Sequence, residues 1–390
     1  MGSLRSMVIR HLPGHRNQSQ EDTREHPSPL SEFDEIRGQL LAQDLFDDET
    51  LVLIAHDGAW VVFDAQGRPV RSELFDHVMA PFALFTPGTY ARRQSQQQAV
   101  VKASNDDMAQ LFGYELPCVD APRRDMPAVL IRNRGLLVTG RFAGELVAAA
   151  ILAEKLCRVE LLAPTIGQVH HLNPALCTAE HAVYLAAYSR RQMKDASDAT
   201  SEGPSAPDSA PQSREDELRR EVIAYGRKLV DESLIQATWG NVSVRVDDDH
   251  FLISPSGVDY YSVTPEEVVL VSTTDGSYDK GLHPSSERRM HQLIYQERPD
   301  IRAIVHTHSA NCAVFAACHE DLLTEVLDYP CAPYAVSGSK RLAANVSRVM
   351  IGHDGCILAN HGFVTGADTL ERAFAQAQEA EAAAGRRFEA

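Results

Sequence analysis

Two histidines one residue apart, His306 and His308, follow the apolar run Ala303-Ile304-Val305. Side chains two apart on a strand leave by the same face, so this spacing aims both rings at one point. A third imidazole stands at His361, after a second apolar run, Cys356-Ile357-Leu358-Ala359, and before Gly362, which lets the backbone turn. Three imidazoles with one position left open are the ligand set of a catalytic Zn²⁺ site. His-x-His by itself is a weak signal, since a satisfied pair of strand histidines has the same spacing. The third histidine, in its own run-and-turn setting, strengthens it. Three histidines do not fix the metal, so another divalent ion fits the pattern too.

A second group of residues suits an anion. Gly240-Asn241-Val242-Ser243, Ser256-Gly257 and Ser285-Ser286 are small-residue turns, each beside a strand or helix end. Such turns offer hydroxyls and backbone N–H groups, and those of Ser285 and Ser286 fall at a helix start, where the dipole adds positive potential. Together they are expected to form a phosphate cradle without a P-loop. Each one alone is more often a plain turn or a helix cap.

The elements that position these groups follow from periodicity and breakers. The second half is expected to run as an amphipathic helix over 215–232, a hairpin over 240–254, a strand over 268–272 and a helix over 285–296 whose first turn carries Glu287. The histidine strand, helices over 309–318 and 339–350, the strand 356–359 and a helix over 369–386 close it. The first half is expected to have a hairpin over 50–63, a helix over 72–84, short strands at 99–101 and 126–130, and helices over 142–159 and 178–192.

At 390 residues the chain suggests more than one core. The small, polar, Pro-rich stretch 193–214 reads as a linker between a domain over 35–192 and one over 215–390, with a disordered leader over 1–34. The net charge of −17 argues against a nucleic-acid or anionic-membrane partner. No apolar run is long enough to span a bilayer, and the first residues lack a signal-like apolar core, so a cytoplasmic protein is expected. Seven cysteines without any Cys-x-x-Cys read as buried free thiols. His170-His171, His319 and His291 read as solvated surface residues.

The halves echo each other. Asn133-Arg134-Gly135 resembles Asn360-His361-Gly362, Ser72-Glu73 resembles Ser286-Glu287, and Val100 to Ser104 resembles Ile304 to His308. Where the second half has histidines, the first has Lys102, Ser104 and Arg134, and a cationic side chain offers no lone pair to a metal. The first half is therefore expected to be a metal-free copy of the second.

In this order and spacing, the second half resembles the class II aldolase/adducin family, especially sugar-phosphate aldolases. The residues that carry the resemblance are 240–245, 253–257, 284–287, 306–308, 331–335 and 361–362, within about 215–388. The resemblance implies an α/β fold of two α/β/α domains around largely antiparallel sheets, the first degenerate, with Zn²⁺ on His306, His308 and His361. It implies phosphate held by Asn241, Ser243, Ser256, Gly257, Ser285 and Ser286, and Glu287 as the catalytic acid/base. It further implies retro-aldol cleavage of a ketose 1-phosphate through a metal-stabilised enediolate, and a homo-oligomer, either a tetramer or a dimer of two-domain chains. A dehydratase or epimerase on the same platform, or a non-catalytic adducin-like interaction protein, are the rival readings. Two departures stand out: the segment between His308 and Ala332 is expected to be shorter than in those aldolases, and no tail is expected after the last helix to cover the site.

Overall fold

The structure, a computed structural model, describes residues 28–390 apart from 57–58, 123–126, 199–212, 237, 258–259, 280, 282 and 389–390. Most of the expected leader and linker lies outside the described residues. Helix α1 (Pro29–Leu41) starts on Ser28, whose hydroxyl accepts from the Ser31 amide, and buries Phe33, Ile36 and Leu40 at helical spacing. Residues 29–34 are thus helix rather than leader, because Phe33 belongs to that buried stripe.

Strands β1 (Leu51–His56) and β2 (Ala59–Phe63) pair as the expected hairpin, with Val52 opposite Phe63; β3 (Pro69–Val70) adds to β2. The helix expected over 72–84 does not form. A 3₁₀ turn at Glu73–Phe75 gives way to strand β4 (Phe82–Thr86), all five residues of which are buried. Pro81 breaks a helix, and the unbroken run Phe82-Ala83-Leu84-Phe85 suits a central strand covered on both faces. Next come α2 (Tyr90–Gln97), β5 (Val101–Lys102), α3 (Asp106–Phe112), β6 (Glu115–Leu116) and β7 (Cys118–Val119). Strands β8 (Ala128–Ile131) and β9 (Gly135–Gly140) lead into α4 (Ala143–Leu162) and α5 (Pro174–Asp198).

The second half runs α6 (Arg214–Asp231), β10 (Asn241–Arg245), β11 (His250–Ile253), β12 (Val269–Ser272), α7 (Arg288–Glu297), β13 (Ala303–Thr307) and α8 (Cys312–Cys318). A small hairpin of β14 (Leu322–Leu323) and β15 (Asp328–Tyr329) precedes β16 (Cys331–Ala332) and α9 (Lys340–Val349). Strands β17 (Gly355–Leu358) and β18 (Gly362–Ala367) and helix α10 (Leu370–Arg386) complete it.

These elements form two compact units. One takes the chain up to Val101 together with Glu115–Arg158; the other takes Lys102–Tyr114 together with everything from Val159. The division does not fall at 193–214 as expected, because α5 packs on α3 and both go with the second unit. The first unit has the sheet β3-β2-β1-β4-β9-β8-β7, antiparallel except for the β7–β8 pair. Leu53, Val62, Phe85, Val129 and Leu137 form its core on one face.

The second unit has the sheet β12-β11-β10-β13-β18-β17-β16, antiparallel except for β16–β17. Alternation along β13 sends Val305 to the side of α6 and α10, where Val222, Phe374 and Ala377 pack. It sends Ile304 to the side of α7 and α9, where Met290, Ile294, Leu342 and Val346 pack. Both faces of the sheet are therefore covered, which is the expected α/β/α layering.

Strand for strand the two sheet orders correspond, so β4 holds in the first sheet the place of β13 in the second. The match of 100–104 to the histidine strand is therefore displaced: Phe82–Thr86 stand there instead. The match of Arg134 to His361 keeps its place. Asn133 (φ 59°) and Asn360 (φ 53°) both take the left-handed conformation between their last two long strands, which Asn tolerates better than most residues. In the same way Glu154 accepts from the amides of Thr89, Tyr90 and Ala91 at the start of α2, and Glu381 from those of Asn311 and Cys312 at the start of α8.

All seven cysteines are free, five of them buried and Cys118 and Cys331 half-buried. Among the described residues no helix is long and apolar enough to cross a membrane.

Gly362 is a position where the close approach of β18 to β13 leaves no room. A Cβ there would lie 2.3 Å from the Thr307 carbonyl oxygen. Gly362→Ala is expected to lower stability by about 1–3 kcal/mol through overpacking against the backbone, read as a fall in the thermal midpoint.

Candidate functional site

His306 is the fourth residue of β13 and His308 follows its end; His361 sits in the turn between β17 and β18. The Asn360 turn carries the His361 amide within 3.0 Å of the Leu358 carbonyl. Adjacent pairing of β13 and β18, with Thr307 opposite Phe363, brings this turn beside the end of the histidine strand. The three rings converge as the spacing implies. His306 Nε2 is 3.0 Å from His308 Nε2 and 3.1 Å from His361 Nε2, and the residues are 0%, 3% and 2% exposed.

The outer nitrogens decide what the inner ones can do. His306 Nδ1 lies 2.9 Å from the Phe363 carbonyl. A carbonyl only accepts, so that nitrogen carries the hydrogen and Nε2 keeps its lone pair. His361 Nδ1 is 3.0 Å from an Asp106 carboxylate oxygen, and His308 Nδ1 is 3.4 Å from one of Asp107. Inner nitrogens this close repel if all of them keep bare lone pairs, so the arrangement calls for a cation, whether a proton or a metal ion. Nitrogens 2.0–2.1 Å from a tetrahedral Zn²⁺ stand roughly 3.3 Å apart, close to the separations found. The residues present therefore fit a divalent ion.

Glu287 completes the cluster. It is the N-cap of α7 rather than part of its first turn. Its Oε1 lies 2.9 Å from His361 Nε2 and its Oε2 3.1 Å from His306 Nε2. Glu287 and the three histidines each offer one ligand atom, all within 4.8 Å of one another. The spacing argument kept Glu287 outside the ligand set; the fold places it within reach. Asn241 Nδ2 donates to Glu287 Oε2 (2.9 Å) and Ser337 Oγ to Oε1 (3.2 Å).

Charge follows from this geometry. Burial alone would raise Glu287, but His306 and His361 outweigh it and hold the carboxyl well below the usual range. Burial would likewise lower His361, yet Glu287 and Asp106 push it up to about 10. Burial dominates at His308, which drops to about 3 despite Asp107. One proton on His361 thus offsets part of the negative charge of Glu287 and Asp106.

The expected anion residues divide. Ser285 and Ser256 lie together because Pro255 and Pro284 form an antiparallel bridge. Their amides, expected to face an anion, are spent within that bridge: Ser256 N donates to His283 O and Ser285 N to Ser254 O. Ser285 Oγ accepts from the Glu287 amide. Gly257 takes φ 64° in the first turn, while Ser286 is exposed at the second and lies against Gly338. Asn241 keeps a buried Oδ1 without a partner among the described residues. Ser243 does not belong with them. Its hydroxyl is fully buried between His291 Nδ1 (2.7 Å) and Tyr295 OH (2.8 Å), because position 243 of β10 faces α7.

Sequence reasoning missed several residues here. His291, expected in solvent, is fully buried, and burial drives it to about 3; its spacing of four from Glu287 on one helix was the available signal. Asp106, Asp107 and Glu180 gave none, being far away in the chain. Both Glu180 carboxylate oxygens are buried without a hydrogen-bond partner among the described residues. Burial and the charge of Asp106 push Glu180 up to about 8.

The family model for the class II aldolase and adducin N-terminal domain matches residues 220–387. The chain is 38% identical over 172 residues to 5-deoxy-D-ribulose 1-phosphate aldolase of Bacillus thuringiensis serovar kurstaki, covering 42% of this chain and 80% of that one. It is 33% identical over 174 residues to L-fuculose phosphate aldolase of Escherichia coli K12, covering 42% and 79%. A solved L-fuculose 1-phosphate aldolase is 36% identical, with a TM-score of 0.42 and coverage of 44% and 84%.

A divalent ion must displace the proton that Glu287 and Asp106 hold on His361. Because that pKa is raised, the proton is present throughout the range below about 10. Affinity for Zn²⁺ is therefore expected to rise with pH, about tenfold per unit for one proton displaced, measured by chelator competition between pH 6 and 8. A flat profile would mean that His361 holds no proton.

Proposed function

Since the chain belongs to the class II aldolase and adducin family, we propose that its second half is a metal-dependent aldehyde-lyase that opens a ketose 1-phosphate by retro-aldol cleavage. The observation that carries this reading is that the Nε2 atoms of His308 and His361 both lie about 3 Å from His306 Nε2, with the Glu287 carboxylate against two of the three rings. His306, His308 and His361 would hold a divalent ion, with Zn²⁺ the first candidate for an all-imidazole site. When bound, the ion supplies a Lewis acid for the negative charge that develops on the substrate's carbonyl and hydroxyl oxygens.

The chain's own side chains do the rest. Glu287 starts as a carboxylate, and a buried carboxylate next to the reacting carbons suits a proton carrier. In the cleavage direction it takes up the proton that the C4 hydroxyl loses as the C3–C4 bond opens and C4 leaves as the aldehyde, and returns that proton to C3, the carbon left with the electron pair; in the reverse direction it removes it from C3. Asn241 and Ser337 orient it through the two hydrogen bonds described. For the phosphate we propose Asn241, Ser256, Gly257, Ser285 and Ser286, the side chains and turns gathered near the start of α7. No lysine takes part. The first unit, with its corresponding strand order and Arg134 in the place of His361, is read as a metal-free copy of the same fold. We expect the full chain to be a homo-oligomer.

His306→Ala is expected to abolish metal binding and activity together. Glu287→Gln should keep the ion while turnover falls by about 10²–10⁴-fold, the usual worth of general acid–base help. The assay is metal content by elemental analysis beside aldehyde release from a panel of ketose 1-phosphates. A Glu287→Gln protein with full turnover would remove the proposed role. Borohydride with substrate should trap nothing, because no Schiff base forms.

A further inference from the structure

We infer that Asp106 and Asp107, both from the first half of the chain, are positioning residues of the metal centre, each holding the outer nitrogen of one ligand histidine. This rests on the metal reading above and deepens it: the site is not complete within residues 215–390. Both aspartates lie outside residues 220–387, where the family model matches.

The two carboxylates are among the most buried groups in the protein, each 0% exposed. A fold keeps such groups only where hydrogen bonds and opposite charge compensate the lost hydration. Each aspartate divides its oxygens in the same way. One Asp106 oxygen accepts from Tyr334 OH (3.0 Å) and the other faces His361 Nδ1 (3.0 Å). One Asp107 oxygen accepts from the Met108 amide (2.8 Å) and the other faces His308 Nδ1 (3.4 Å). Neither residue is the N-cap of α3, which is Asn105, so helix capping does not account for the pair.

The segment before α3 is fastened to the turn that carries His361. The Asp106 amide donates to the Asn360 carbonyl (2.9 Å), and Asn360 Nδ2 donates to the carbonyls of Ser104 (2.8 Å) and His170 (2.6 Å). At its other end Gln110 accepts from Trp239 Nε1 (3.1 Å) through its side chain and from His181 Nδ1 (2.8 Å) through its carbonyl. The placement of the two aspartates is therefore set by several bonds besides those to the rings.

A carboxylate on the outer nitrogen does two things for a ligand histidine. It fixes the tautomer with the lone pair at Nε2, and it raises the basicity of that lone pair toward the ion. His306 receives only the first benefit, from the neutral Phe363 carbonyl. His308 and His361 receive both.

The test uses the full chain with Zn²⁺ and Co²⁺ as probes. Asp106→Asn and Asp107→Asn are nearly isosteric; each is expected to weaken divalent-ion affinity about 10–100-fold by chelator competition and to alter the Co²⁺ visible spectrum. The corresponding Ala variants should lose more, because an amide oxygen still accepts from Nδ1–H. Tyr334→Phe, which removes one of the bonds that position Asp106 while leaving both carboxylates, is expected to alter the Co²⁺ visible spectrum and guards against an Asn variant that does not fold. Wild-type protein that binds Zn²⁺ tightly, with both Asn variants binding equally tightly and showing the same Co²⁺ spectrum, would overturn this inference and leave the metal reading intact. A wild-type chain that takes up no divalent ion would overturn both.

Discussion

The whole centre depends on how three imidazoles spend their outer nitrogens. Each Nδ1 faces an acceptor: the Phe363 carbonyl for His306, Asp107 for His308 and Asp106 for His361. The Nε2 atoms are left to meet one another in a dry interior, which is unfavourable until positive charge arrives between them. Three side chains that would repel in isolation stay together because the backbone around them is over-determined. β13 and β18 are paired through five residues, and the Asn360 turn is tied down by its own side chain.

The electrostatics of this region form one problem. Glu287, Asp106 and Asp107 are all buried beside the histidines. Glu287 and Asp106 raise His361, just as His306 and His361 hold Glu287 low. Proton and metal ion are alternative answers to the same field. The field also keeps Glu287 ionised, since a carboxyl buried alone would bind its proton instead.

Two sheets of corresponding order within one chain carry very different chemistry at corresponding places. The second unit's β13 carries His306, with His308 just past its end; at the same places the first unit has Phe85 on β4 and Pro87 just past it, and Arg134 stands where His361 stands. What both units keep is packing and capping: covered central strands, a left-handed Asn turn and a buried Glu on the start of a helix. The segment Lys102–Tyr114 belongs by sequence to the first half but by packing to the second unit.

Sequence alone determined whatever depends on local spacing. His306 and His308 share a direction because a strand repeats every two residues, and the β1–β2 hairpin, α6, α9 and α10 follow from periodicity and caps. Their bounds came out within a few residues because each carries its own punctuation, such as Thr369 before α10, whose hydroxyl accepts from the Arg372 amide. The helix expected over 72–84 failed because an apolar run signals burial without saying in which conformation. Only the tertiary structure decided that Ser243 faces α7 rather than an anion, and that His291 is buried. Only it put Glu287 against the Nε2 atoms of His306 and His361 and brought two aspartates from some 200–255 positions away onto the other side of the rings. Such contacts have no signature in the chain, because nothing local to Asp106 or Asp107 distinguishes them from the solvated acids that open many helices; burial and the partner on the opposite wall define them.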